Sequence, residues 1–137
     1  MPAHSIGDSL PIGALARHTG VKVETIRYYE RIGLLADPPR SAGGHRVYGC
    51  EARRRLTFIR RSRDLGFSLD EVRALLAMVS GDFTCGEVRR RTLAHLEAVR
   101  RKRVELERLE SRLTNIAARC EHPQDHRCPV VEELFDD

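Results

Sequence analysis

Residues 12–35 read IGALARHTGVKVETIRYYERIGLL, and this stretch decides the fold. Ile12, Leu15 and Ala16 recur at helical spacing directly after Pro11, a residue suited to opening a helix. Gly20 interrupts the pattern, and Val23 to Arg31 restarts it. The spacing predicts a helix, a tight turn and a second helix. A helix-turn-helix places its second helix in the major groove of DNA, where the exposed face meets base edges and phosphates. Val23, Ile26 and Tyr29 supply the apolar side of that helix, which leaves Thr25, Arg27 and Tyr28 as groove-facing candidates. Arg27 can reach a phosphate or pair bidentately with guanine.

Outward from this core, residues 38–48 read PPRSAGGHRVY. The interval from Leu34 to Tyr48 is predicted to be an extended strand pair joined by a loop, a wing. Gly43 and Gly44 allow the backbone to approach a phosphate strand closely, carrying His45 and Arg46 with it and Tyr48 just behind. A helix is expected from Glu51 to Leu65 on the strength of Leu56, Ile59 and Leu65, with Gly66 as its stop. Ser68 and Glu71 then make a capping box for a helix running through Met78. Beyond Gly81, Val99, Leu106 and Leu113 fall at seven-residue steps, joined by Leu109 and Ile116, and mark one long helix from about Gly86 to Arg119. Pro129 opens a last apolar turn, Val130 to Phe135. The expected fold is therefore mainly α: a winged helix-turn-helix domain, a long antiparallel coiled-coil dimerisation helix, and a short C-terminal metal-binding loop and helix. Residues 1–10 read as a flexible arm, 11–80 as the DNA-binding domain, 81–119 as linker and dimerisation helix, and 120–137 as metal-binding loop and C-terminal helix.

Composition agrees with a polyanionic partner. Lys and Arg outnumber Asp and Glu by 24 to 20, and the excess is uneven: six arginines crowd between Arg53 and Arg63, whereas Glu132 to Asp137 holds four acids. No apolar run approaches the roughly 20 residues of a membrane span, and no signal-peptide stretch is present, so a cytoplasmic protein without a membrane partner is expected. In that reducing compartment the four cysteines read as metal ligands or redox thiols rather than disulfides. Aromatics make up 5% of the chain with no Trp, which disfavours a large aromatic-lined substrate pocket. No nucleophile, base and orienting group stand in register, so the chain is not expected to be an enzyme.

The cysteines define a second site. Cys85 and Cys120 lie 120 − 85 = 35 residues, or five heptads, apart, which puts both on the seam of Val99, Leu106 and Leu113. A helix of that length spans on the order of 50 Å, so one ion cannot bind both from a single straight chain. Two antiparallel copies remove the difficulty, giving an intersubunit site that occurs twice per homodimer. Cys120 and Cys128 bound the loop EHPQDHR, short enough to bring both sulfurs to one ion, and Cys85 of the partner subunit can supply a third. Thiolates select soft ions: mercury, cadmium, lead, zinc or cuprous copper. Three thiolates on a divalent ion leave one net negative charge, as do two on a monovalent ion, so the third sulfur favours Hg(II), Zn(II), Cd(II) or Pb(II) over Cu(I). His122 and His126, inside the loop, are additional candidates because zinc often combines imidazole with thiolate. Cys50 reads as a small semi-buried residue and His95 as a packing residue of the seam.

The three stretches 12–35, 38–48 and 58–76, the last reading FIRRSRDLGFSLDEVRALL, together resemble MerR-family regulators, and the similarity runs from Ile12 through the cysteine loop. The resemblance implies a homodimer gripping a palindromic operator in an unusually long promoter spacer, beside RNA polymerase. It implies repression without metal and activation with it, through DNA untwisting. It assigns DNA contacts to Arg27, Tyr28, His45, Arg46, Tyr48, Arg60 and Arg63, although His45 stands where an aromatic is more frequent. Family sensors of mercury, zinc, cadmium and lead carry a cysteine at the head of the long helix, as Cys85 does, whereas copper sensors typically have serine there. The seven-residue gap between Cys120 and Cys128, by contrast, is that of the copper sensors. Two other readings are a family member sensing a drug or oxidant, and a cytosolic metal-sequestering helical protein.

Overall fold

The computed structural model describes residues 9–120 and 126–136, and the described residues form six helices: α1 Ile12–Thr19, α2 Val23–Arg31, α3 Cys50–Asp64, α4 Leu69–Val79, α5 Cys85–Ala118 and α6 Pro129–Phe135. The chain divides between Phe83 and Thr84 into two compact units.

The first unit holds α1 to α4. Pro11 is the N-cap of α1, and its extended backbone, φ −68°, starts the helix without needing a donor of its own. Gly20 ends α1 in the left-handed region at φ 69°, and its N–H closes back on the Ala16 carbonyl at 2.8 Å. The positive φ favours glycine here, and a side chain would also displace the Arg60 guanidinium, whose Nη1 lies 2.1 Å from where its Cβ would stand. Across the turn, α2 buries Ile26 and Tyr29, while α3 contributes Leu56 and Ile59 and α4 contributes Val72 and Leu76. Leu15, Ile26, Leu34, Tyr48, Leu56, Ile59 and Val72 are each less than 2% exposed or at that limit. Complete burial of one such aliphatic side chain contributes roughly 1.5–3 kcal/mol, so this single core is what fixes the helices about one another. The Ser68 and Glu71 capping box is formed in both directions.

The wing differs from the expected strand pair. No strand occurs among the described residues; Arg40 and Arg46 form one isolated antiparallel bridge, and Leu10 and Tyr48 form another. The cause lies in Pro38 and Pro39, which have no N–H to extend the ladder. Pairing survives only as Ser41 N–H to His45 O and Val47 N–H to Pro39 O, at 2.7 and 3.0 Å. Gly44, at φ 81°, turns the tip, and Arg40 donates across it to the Gly44 carbonyl at 2.9 Å.

In the second unit, α5 has 34 residues, a length of about 50 Å. Thr84 and Glu87 form a complete capping box at its start. Its apolar residues Val99, Leu106, Leu109 and Leu113 are between 47% and 61% exposed. Only Ile116 of α5 is buried. α6 packs against α5, and Arg119 donates to Glu133 at 2.9 Å.

Candidate functional site

The first unit presents two elements that can meet DNA. On α2, the register that sends Ile26 and Tyr29 inward turns Arg27 and Tyr28 outward, with Thr25 half-buried beside them. Tyr28 is 41% exposed, and the Arg31 guanidinium lies 5.7 Å from its ring centre. On the wing, His45 is exposed at the tip. Arg46 is half-buried, with Nη1 3.6 Å from a Glu30 carboxylate oxygen. Tyr48 is 2% exposed and donates its hydroxyl to the same carboxylate, which leaves it almost no surface to offer a duplex. Burial first, and then the Glu30 carboxylate, push the Tyr48 phenol far above its ordinary value.

The arginines of α3 are partly engaged within the unit. Arg60 donates to the Thr19 carbonyl at 2.7 Å, locking α3 to the end of α1, and Arg63 donates to the Phe67 carbonyl at 2.8 Å. Each guanidinium has five N–H donors, so both retain several for a phosphate. Glu30, the hub beneath the wing, was not signalled by sequence, since a glutamate near the end of an exposed helix ordinarily reads as a solvated charge. The capping box at Thr84 also escaped notice, though the pattern T-x-x-E ahead of an apolar periodicity marks it.

The second unit brings two of the predicted ligands together. The Cys120 and Cys128 side chains are within hydrogen-bonding reach, although seven residues separate them. N–H groups of Val131 and Val130 point at the Cys128 sulfur and hold its thiol below the ordinary range, with the Cys120 thiol adding to the effect. Cys120 is pushed the other way, by desolvation and then by its neighbour. Two adjacent sulfurs, one of them readily deprotonated, suit a soft ion and lack only further donors. His126 is exposed, and His122 lies outside the described residues. Cys85 is exposed at the first residue of α5, a helix length away from Cys120. Among the described residues no group of three or more His, Cys, Asp or Glu side chains is assembled. Cys50 is exposed rather than semi-buried, because the register that buries Leu56 and Ile59 turns position 50 outward. No helix among the described residues is long and apolar enough to cross a membrane.

A helix-turn-helix with a basic wing, followed by a long helix with a thiol pair beyond its far end, is the arrangement of a DNA-binding regulatory protein. The chain belongs to the MerR family: residues 10–79 match the MerR HTH family regulatory protein and residues 53–116 the MerR DNA-binding region. It is 41% identical over 126 residues to the mercuric resistance operon regulatory protein of Bacillus cereus, covering 90% of this chain and 96% of that one. A lead(II)-bound transcription regulator from Ralstonia metallidurans superposes with a TM-score of 0.75 at 37% identity, covering 91% and 98% of the two chains. The mercury(II)-bound MerR of Bacillus megaterium superposes with a TM-score of 0.70, also at 37% identity, over 93% and 100%.

Proposed function

We propose that this chain is a metal-responsive transcription regulator of the bacterial cytoplasm, which binds palindromic promoter DNA as a homodimer and switches transcription by distorting that DNA. The observation that carries the reading is the convergence of Cys120 and Cys128. Residues 11–80 serve DNA, 81–119 dimerise, and 120–137 sense. Thr25, Arg27, Tyr28, His45, Arg46, Arg60 and Arg63 face the duplex.

Dimerisation through α5 is supported by its uncovered apolar stripe. The ion pairs along α5, such as Arg100 with Glu97 at 2.8 Å, are solvent-exposed, where each contributes well under about 1 kcal/mol. A second copy covering Val99, Leu106 and Leu113 supplies what they cannot. Antiparallel pairing brings Cys85 of the partner subunit to Cys120 and Cys128, and His122 and His126 are further candidate ligands. The ion is divalent, one of Hg(II), Pb(II), Cd(II) or Zn(II), and a relative regulating mercuric resistance and neighbours holding lead(II) and mercury(II) favour the first two. The dimer stays on its operator with or without metal. Metal held by the cysteines rotates one winged domain against the other, and the altered DNA shape presents the promoter to RNA polymerase.

Two inactive variants test the shared site: Cys85→Ser, and Cys120→Ser combined with Cys128→Ser. Heterodimers isolated after mixing them have one complete site and one site without thiols, so each heterodimer should bind about half the metal of a parent dimer. Restoration of nothing sinks the shared site. Titration of the parent with Hg(II), Pb(II), Cd(II), Zn(II) and Cu(I), followed by ultraviolet ligand-to-metal bands, ranks the ions. Tight Cu(I) binding that persists in Cys85→Ser, without any divalent response in the parent, assigns the protein to copper. Metal that simply releases the dimer from DNA overturns the distortion mechanism.

A further inference from the structure

The Glu30 side chain is 7% exposed and sits one residue before the end of α2. Both of its carboxylate oxygens point at the wing. One accepts the Tyr48 hydroxyl, and the other faces Nη1 of Arg46 at 3.6 Å. Tyr48 is itself fixed through its backbone, exchanging N–H and C=O bonds of 2.8 Å with Leu10. The Nε of Arg46 is buried and has no partner. An arginine so placed cannot swing freely into solvent, yet about a third of its side chain stays open to an incoming anion.

We propose that Glu30 and Tyr48 are positioning residues for DNA recognition, with the Glu30 carboxylate tying the wing arginine Arg46 to the recognition helix so that α2 and the wing engage the operator in one fixed geometry. The inference rests on the DNA-binding reading above. Tyr48 then acts through Glu30 and Arg46, not by touching the duplex. Without the tie, an isolated wing arginine binds any phosphate backbone, because phosphate contacts carry no sequence information unless their register is imposed. The carboxylate also has an electrostatic side: unpaired, it would oppose the phosphates close to α2, and Arg46 neutralises it. Glu30 and Arg46 therefore work as a unit whose members lose their meaning singly.

The test measures fluorescence anisotropy of a duplex carrying the palindrome from the chain's own promoter, and of a scrambled duplex of equal length, at several salt concentrations. Glu30→Gln should lower the ratio of palindrome to scrambled affinity by about tenfold while leaving scrambled binding equal or stronger, the size of one well-placed contact. In an Arg46→Ala background the same substitution should change the ratio by less than about twofold, since there is no arginine left to position. Equal losses in both backgrounds mean that Glu30 only stabilises the domain, and overturn the proposal. An unchanged ratio in the parent background also overturns it. Should Glu30→Gln fail to fold by circular dichroism, Tyr48→Phe, which keeps the packed ring and removes only the hydroxyl, takes its place in both backgrounds with the same criteria. A parent protein that shows no palindrome preference overturns the DNA-binding reading and this one together.

Discussion

Cys128 accepts from the Cys120 thiol and from the N–H groups of Val130 and Val131, so the two sulfurs of the pair are chemically unequal. As pH rises, Cys128 loses its proton first, because its thiolate is already solvated by backbone donors. Cys120 follows only above the ordinary thiol range. Since the thiolate is the reactive form, iodoacetamide at neutral pH should label Cys128 of the metal-free protein ahead of Cys120, as read by peptide mass spectrometry. In Cys128→Ser, Cys120 loses two of the causes that raise it and should react faster than in the parent. Equal labelling rates in the parent would contradict the arrangement.

Arg27 projects from the exposed face of α2, whereas Ile26 beside it is fully buried. Arg27→Ala should therefore leave the melting temperature nearly unchanged and weaken operator binding by about 1–3 kcal/mol, roughly 5- to 150-fold. If Arg27 reads a base, the loss appears as relaxed preference at one position of the palindrome. If it meets a phosphate, the slope of log affinity against log salt falls by about one. Metal binding, which belongs to the other unit, should be unaffected, and a variant that binds operator as the parent does removes α2 from its assigned role.

The positions where sequence sufficed are those whose physics is local. Pro11, Gly20 and the Ser68 to Glu71 box each fix a helix end through neighbouring atoms, and α2 was placed from Val23 to Arg31, as observed. The seven-residue spacing likewise located α5 to within a residue or so at each end. What stayed hidden depends on contacts between residues far apart in the chain. Tyr48 reaches Glu30 across eighteen positions, and neither residue announces the pairing. The turn residues between Leu34 and Tyr48 suggest an extended strand pair, yet Pro38 and Pro39, lacking N–H donors, shorten the ladder to an isolated bridge. Cys50 is exposed, since a cysteine's residue type says nothing about which face of α3 it occupies.

The Tyr48 and Glu30 bond also makes a prediction at alkaline pH. Folding raises the Tyr48 pKa, so its contribution to stability is complete below the unfolded value near 10 and declines as pH rises beyond it. In the unfolded chain the phenol ionises in that range, while in the folded unit it stays neutral. Tyr48→Phe should cost about 1–3 kcal/mol at neutral pH, because Glu30 is left with one donor fewer. Above pH 10 the gap between parent and variant should shrink, as measured by urea unfolding across the alkaline range. A gap that stays constant with pH would mean that folding does not raise the Tyr48 pKa.

Thr84 and Glu87 hold the first turn of α5, and Cys85 is the first residue of that turn. Thr84→Ala removes the side-chain acceptor for the Glu87 N–H and should cost about 1 kcal/mol, expressed as fraying of that turn rather than as loss of the whole helix. The Glu87 carboxyl is held below its ordinary value, first by the Thr84 backbone N–H and then by the Thr84 hydroxyl. A depressed folded pKa stabilises the turn above the unfolded value near 4.3 and loses that effect as pH falls through the folded one. Hydrogen exchange of the Glu87 and Val88 amides, which donate to Thr84, should therefore be slowed at neutral pH. Relative to amides in the middle of α5, their protection should decline as pH falls below the ordinary glutamate range. Glu87→Gln should abolish that acid-dependent step, because an amide side chain has no proton to gain. If fraying then weakens binding of the third sulfur, Thr84→Ala should lower divalent-metal affinity while sparing operator binding. Unaltered metal affinity in a variant whose first turn is shown to exchange freely would argue that Cys85 does not ligate the ion.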